Sequence, residues 1–291
     1  MAFVRLDPEC IRCLLKKHLN AAPETASEAE RTAYMQRMLR LIADASPFEG
    51  APVLVSEIEA LQREMFGIVR DFSKEKAAFN ELMLSLEDGL WQKITEAQDP
   101  LYAAVQFAMI GNYIDFGAIR NVDEKTFLSL LERDDFSSHD LQTFESFTAE
   151  CAESKSLLLL ADNCGEIVLD KLFLEQLGQR YPQMKLSVMV RGGEVLNDAT
   201  VEDALYAGID SVAEIISSSV AVSGTVYDMI SDEAKHALDN ADVILSKGQG
   251  NYEALSGQGR HVFYSFLCKC ERFTNRFNVP SLTGMFVEET E

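Results

Sequence analysis

A change of hydrophobic rhythm near residue 155 constrains this chain more than any other feature. Beyond it, short apolar runs at 156–161, 186–190, 211–216, 243–245 and 262–267 alternate with helical spacing at about 166–180, 200–207, 227–240 and 252–256. Short apolar runs without polar alternation suit strands buried on both faces, and parallel strands need crossover helices between them. The expectation is α/β: a mostly parallel sheet flanked by helices, Rossmann-like and three-layered. Before residue 155 the periodicity is helical. The stretch 10–19 follows Asp7-Pro8, an Asp cap with Pro in the first turn. The stretch 28–43 puts Tyr34, Met38, Leu41 and Ile42 on one face, and 53–68, 74–97, 100–110, 124–133 and 141–152 are spaced alike. Pro47, Pro52, Gly89, Pro100 and Gly117 are breaks or bends. The division expected is an N-terminal all-helical domain over 1–154 and an α/β metal- and phosphate-binding domain over 155–291.

The 291 residues are enough to bury a core without disulfide staples. No run approaches the ~20 apolar residues of a membrane span, and the first residues lack the apolar segment of a signal peptide. A cytoplasmic chain with no membrane partner is expected. The formal charge of −21, from 47 acids and 26 bases without a basic cluster, excludes a nucleic-acid partner. Six cysteines in such a chain do not form a disulfide framework, and none of the four histidines lies in an HExxH pattern.

The functional reading rests on the polar residues at the end of each apolar run. The first run ends in Asp162-Asn163-Cys164-Gly165-Glu166 and the second in Arg191-Gly192-Gly193, with Asn197-Asp198 beyond. The third ends in three serines, the fourth in Lys247-Gly248-Gln249-Gly250-Asn251, the fifth in Cys268-Lys269-Cys270. Parallel strands bring all five to the carboxyl edge of the sheet, where ligands bind in open α/β folds. Two carboxylates and an amide carbonyl suit Mg²⁺ or Mn²⁺, which prefer oxygen ligands and keep open positions. Lys247, Lys269 and Arg191 can neutralise a transferring phosphoryl group. Gly248 and Gly250 let backbone N–H groups approach a phosphate. Each motif alone has a plainer reading. Asp162-Asn163 and Asn197-Asp198 are also good turn or cap sequences, and Lys247–Gly250 is not a Walker A loop.

The set Asp162-Asn163-x-Gly165-Glu166, Asn197-Asp198, Lys247-Gly248-x-x-Asn251 and Lys269-Cys270, with Gly111-Asn112-Tyr113-Ile114-Asp115-Phe116-Gly117 upstream, resembles the damage-control phosphatases. Cys10-Ile11-Arg12-Cys13 resembles the CxxC of their mostly prokaryotic branch. The resemblance implies a phosphatase dependent on Mn²⁺ or Mg²⁺, with Co²⁺ or Ni²⁺ also serving. It implies Asp162, Asn163 and Asp198 as metal ligands, and Glu166 and the 247–251 loop as substrate-contacting positions. Lys269 stands where the family has a late basic residue, but its Cys-Lys-Cys setting departs from the Arg-Thr-x-Lys of the eukaryotic branch. The substrates implied are sugar phosphates or damaged phosphometabolites.

Asn112 and Asp115, three apart, are expected on a helix face that covers the metal site. Lys247 is expected to touch the substrate phosphate and act in catalysis with Asp162. Water activated by the metal is favoured over an aspartyl-phosphate, because the Asp-x-Asp of aspartyl-phosphate enzymes is absent. Two other readings stand beside the phosphatase. One is a phosphotransferase using the same metal and lysine loop. The other is a metabolite-binding or metal-sensing protein using Cys10 and Cys13, with Cys268 and Cys270 completing a four-thiolate site. No GxGxxG follows the first run, which disfavours a dehydrogenase.

Overall fold

The computed structural model describes residues 6–19, 21–46, 50–115, 124–132 and 138–290. The expected breaks at Pro47 and Gly117 and the end of the sixth helix at Arg133 lie outside them. The sheet is built from β1 (Ser156–Leu160), β2 (Lys185–Val190), β3 (Glu214–Ser217), β4 (Val243–Lys247), β5 (Val262–Leu267) and β6 (Gly284–Glu289). Its order is β3-β2-β1-β4-β5-β6. The first five strands are parallel and β6 pairs antiparallel with β5. The chain winds outward from β1 to β3, then returns to place β4 on the other side of β1. Their diverging connections open a crevice beyond the carboxyl ends of β1 and β4.

Alternation along each strand divides the core. Leu157 and Leu159 of β1 face one cluster with Val188, Val190, Leu245 and Phe263, whereas Leu158 and Leu160 face another with Met189, Ile244, Tyr264 and Phe266. The first cluster is covered by α4 (Ser73–Glu96), α5 (Pro100–Gly111), α6 (Glu124–Leu131), α7 (Ser138–Glu153), α8 (Glu166–Arg180) and α9 (Val201–Ala207). The second is covered by α10 (Asp232–Asn240), α11 (Gly248–Leu255) and α12 (Glu271–Phe277). A separate small core joins α1 (Pro8–His18), α2 (Glu28–Asp44) and α3 (Ala51–Phe66). The expected boundary at 154 therefore runs through a shared core: α4–α7 bury their apolar faces with the sheet, and α1–α3 alone pack around a core of their own.

Local signals explain most helix limits. Asp7 caps α1 by accepting from Glu9 N at 2.8 Å, and Ser27 and Glu30 form a capping box at α2. Gly89 leaves α4 unbroken over 24 residues, since a glycine inside a helix costs only about 1 kcal/mol. Three expectations need correction. The third strand begins at Glu214, because Ile209–Ser211 form a 3₁₀ turn. Helix α10 starts at Asp232, where Ser231 supplies the cap. Residues 248–251 are the first turn of α11 and not an open loop. The elements α12 and β6 carried no expectation; Gly284-Met285-Phe286-Val287 is too short a run to distinguish an edge strand from a turn.

Phe147 of α7 has no exposed surface; it meets Phe263 of β5 and Phe286 of β6 edge to face and Phe173 of α8 at a tilt. Phe147→Ala should cost about 3–5 kcal/mol. Urea denaturation should show one transition followed by both near- and far-ultraviolet signals. Independent melting of the helical half would contradict the shared core.

Candidate active site

The segments after β1 and β2 pair with each other, and this pairing assembles the site. Ala199 N donates to Asp162 O at 2.8 Å, and Cys164 N donates to Asn197 O at 2.8 Å. Asn163 and Asp198 form an isolated antiparallel bridge. Asp162, Asn163 and Asp198, expected together, thus stand side by side at the mouth of the β1/β4 crevice, all nearly buried. Asp162 Oδ2 accepts from Asn163 Nδ2 at 2.8 Å and from Asn112 Nδ2 at 2.9 Å. Asn163 Nδ2 also reaches Glu166 Oε2 at 2.8 Å.

Arg191 lies beneath this group with 1% exposure. Its Nε donates to Asp198 Oδ2 at 2.7 Å and its Nη1 to Asn251 Oδ1 at 3.3 Å. Its Nη2 is buried without a hydrogen-bond partner, 3.6 Å from Asp162 Oδ1. A fully buried guanidinium nitrogen without an acceptor is costly and points to a missing anionic or polar partner. Ser223 Oγ completes the surroundings of Asp198, donating to Oδ1 at 3.1 Å.

Asn112 and Asp115 reach the site, though not from one helix face. Helix α5 ends at Gly111, and Asn112 is its C-cap. Asn112 turns inward, its Oδ1 accepting from Leu267 N at 3.1 Å. Asp115 Oδ2 pairs with Lys269 Nζ at 2.6 Å. Lys269 thereby approaches from the β5 end as the sequence suggested, with its charge already met by a carboxylate.

Lys247 is placed differently from the expectation. It is fully buried, and its ammonium donates to Ala108 O at 2.9 Å, Glu166 Oε1 at 2.6 Å and Asp170 Oδ1 at 2.6 Å. All three donors are occupied, so none is directed at a substrate. Gly248 has φ +77°, and a methyl group there would overlap the Asp162 carboxylate. The position requires glycine, both for its left-handed backbone and for the close approach of α11 to Asp162. Gly250 lies within α11 and packs closely on the 223–225 segment, the Ser223 backbone oxygen lying 3.0 Å from its notional Cβ. Asn251 is buried and fastens the crevice: Nδ2 donates to Ala161 O at 3.1 Å and Lys247 O at 2.8 Å, while Oδ1 accepts from Thr225 N at 2.7 Å.

Asp170 and Asn80 carried no expectation. Asp170 lies four residues beyond Glu166 on α8, a spacing that puts both carboxylates on one helix face. Asn80 Oδ1 accepts from Gly165 N at 2.6 Å and so fixes the turn into α8; nothing in the helical pattern of α4 marks it. The four cysteines do not form a four-thiolate site. Cys268 is packed in the core behind β5, whereas Cys10, Cys13 and Cys270 line one cavity, with Cys10 buried against Arg272 Nη1 at 3.3 Å and Cys13 exposed. Among the described residues, only Glu150, His261 and Glu288 form a group of three such side chains with ligand atoms within 4.8 Å of one another. It lies at the opposite end of β5, and His261 turns one ring nitrogen to each carboxylate, at 3.4 and 2.9 Å.

Charge supplies the test of whether a cation fits the crevice. Five carboxylates (Asp115, Asp162, Glu166, Asp170 and Asp198) are linked there to three cations, Arg191, Lys247 and Lys269. Two formal negative charges remain. Burial, with Asp198 and Glu166 nearby, pushes the Asp162 carboxyl well above its ordinary range. Burial also raises Asp198, although Arg191 opposes it. Oxygen-only donors carrying a surplus of two charges match a hard divalent cation.

The fold and this site define a doubly wound α/β enzyme scaffold with an acidic crevice at its switch point. The profile of the damage-control phosphatase ARMT1-like domain matches residues 6–282, and the chain belongs to that family. It is 28% identical over 294 residues to a damage-control phosphatase of Archaeoglobus fulgidus, covering 98% of this chain and 100% of that protein. It is 25% identical to a damage-control phosphatase of Pyrococcus horikoshii, covering 95% and 96%. The crystal structure of a DUF89 family protein from P. horikoshii superposes with a TM-score of 0.76 at 23% identity, over 97% of this chain and 98% of that one.

The buried lysine yields a stability prediction. Burial holds the Asp170 carboxyl up to about 7, with Lys247 opposing the rise and Glu166 adding to it. Lys247→Met removes the opposing charge and should cost about 3–5 kcal/mol, the usual penalty for breaking a buried ion pair. A carboxyl raised on folding stabilises at low pH and loses that contribution as pH rises through its folded pKa. Without Lys247 the rise is larger, so urea denaturation should find a greater loss at pH 8 than at pH 5. An equal loss at both would contradict the pairing.

Proposed function

We propose that this protein is a metal-dependent phosphomonoester hydrolase acting on small phosphorylated metabolites, sugar phosphates or damaged phosphometabolites, in the cytoplasm. The carrying observation is the convergence of Asp162, Asn163 and Asp198 above an incompletely partnered Arg191, in a crevice with two surplus negative charges. The names of the archaeal relatives favour the same reading. In this reading Asp162, Asp198 and the Asn163 carbonyl hold the cation, with Mn²⁺ or Mg²⁺ favoured and Co²⁺ or Ni²⁺ admissible by donor chemistry. Such an ion supplies Lewis-acid polarisation of a phosphoryl oxygen and lowers the pKa of water.

The chain's own residues then have separate tasks. Arg191 orients Asp198 through Nε and leaves Nη2 for a phosphoryl oxygen, whose developing charge it stabilises. Lys269, held by Asp115, adds positive charge at the β5 side. Gly250 lines the approach. Lys247 acts one step removed, fixing Glu166, which in turn holds Asn163. Asn112 and Asn163 both donate to Asp162 Oδ2, so that carboxylate is restrained against moving onto phosphorus. Water is accordingly the attacking group. Single-turnover hydrolysis in ¹⁸O-labelled water should place the label in the released phosphate; a phosphoenzyme trapped at Asp162 would overturn this.

Asp162→Asn separates function from stability. It removes one of the crowded charges while keeping a similar shape. The variant should unfold at or above the parent's temperature without metal, yet release phosphate at least about a hundredfold more slowly. In the parent, Mn²⁺ at a hundred times its Kd should stabilise by about 2.7 kcal/mol, and calorimetry should find that gain gone in Asp162→Asn. A full Mn²⁺ response in the variant would rule out this metal site.

A further inference from the structure

A cavity of about 430 Å³ leads away from the candidate site. At its inner end lie Asp115, Ser223, Gly250 and Lys269, all beside the Asp162–Asp198 pair. Its outer end is formed by α1, by Pro52 and Val55 of α3, and by Arg70 and Phe72 just before α4. The lining carries six bases against four acids, in a chain with 26 bases and 47 acids. That reversal of sign is local.

The four acids are already engaged. Arg12 pairs with Glu9 and Glu271, Arg272 with Glu253 at 3.0 Å, and Lys269 with Asp115 at 2.6 Å. The outer cations remain in surplus. Lys16 is exposed in the last turn of α1. Arg70 is exposed, and its ion pair with Glu59 is stretched to 3.9 Å. Between the two charged ends the wall is apolar, with Leu14, Val55, Phe72 and Leu196. A volume of this size suits a ligand larger than a bare phosphate.

We infer that this groove binds a second anionic group of the substrate, a carboxylate or a phosphate, through Lys16 and Arg70. The preferred substrates are then doubly anionic phosphate esters whose carbon skeleton covers the apolar wall. This rests on the phosphatase reading for the inner end. A metal at the crevice would take one anion, and the outer cations would take the other. Clefts of one charge sign with low-dielectric walls concentrate ligands of the opposite sign, even in an acidic protein.

Phosphonates test the groove without turnover. Calorimetry on the full chain with Mn²⁺ would compare alkylphosphonates of three to eight carbons ending in methyl, carboxylate or a second phosphonate. At the chain length that spans the groove, an anionic end should bind about tenfold more tightly than methyl, as expected for one charge-assisted contact. The carboxylate and phosphonate arms distinguish the two anion classes. The gain should fall below about twofold in Lys16→Gln/Arg70→Gln, and should shrink between about 0.05 M and about 0.5 M salt. In Lys16→Glu/Arg70→Glu the methyl end should become the tighter binder. Melting temperatures would establish that the variants fold.

Equal binding of the three ends at every length, absence of phosphonate binding, or a gain that survives in the glutamine variant would overturn the proposal. Mn²⁺-dependent phosphate release from p-nitrophenyl phosphate is measured separately. Release without an anionic preference would refute the groove and keep the phosphatase. A preference without release would keep the groove and refute the phosphatase.

Discussion

One buried ammonium holds the site in register. Lys247 Nζ joins the end of β4 to Glu166 and Asp170 on α8 and to the Ala108 carbonyl on α5. Those elements come from both sides of the topological reversal and from the helical first half of the chain. Burial alone would depress the lysine's pKa, but Asp170 and Glu166 together raise it, so the charge is retained inside the protein. An ammonium with three acceptors in place is well satisfied; with one removed, a buried charge is left uncompensated. Glu166, fixed from below in this way, accepts from Asn163 and Asn112 and thereby sets the position of Asp162.

Much of this was legible in the sequence, for a specific reason. Buried parallel strands make unbroken apolar runs, and the residues after them must gather at one edge. Asp162, Asn163, Asp198, Arg191 and Lys269 could therefore be placed together without coordinates. Roles that depend on side-chain direction were less legible. Lys247 follows a strand as a phosphate-binding lysine would, yet its side chain runs inward, because Asp170 waits on α8 to receive it. Asn251 looked like a ligand contact and serves as a strand clamp. Its usefulness depends on carbonyls at Ala161 and Lys247 that no local pattern brings together. The sharing of one core between the two halves was hidden for a related reason. Amphipathic helices show which face is buried but not what buries it, and α4–α7 cover the same sheet that the second half of the chain forms.

The distribution of charge joins the site to its surroundings. A chain at −21 should repel phosphate esters at long range. The crevice can accept one only if its surplus of negative charge is first met by a cation. Arg191 cannot do this alone, because Asp198 and Asn251 already engage two of its nitrogens. The outer groove reverses the sign again with residues of α1 and the segment before α4. The helices α1–α3, whose small core lies apart from the sheet, thus contribute to the surface on which a substrate would lie. On the inferred groove, the first quarter of the chain would take part in substrate selection, which its sequence did not disclose.

The central claim is that a divalent cation sits at Asp162, Asn163 and Asp198. Anomalous diffraction at the manganese edge, from crystals grown with Mn²⁺ and inorganic phosphate, tests it most directly. The account predicts a peak within about 2–2.5 Å of oxygens from those three side chains, with phosphate on the same ion and near Arg191. A peak at Glu150, His261 and Glu288 with the crevice empty would contradict it.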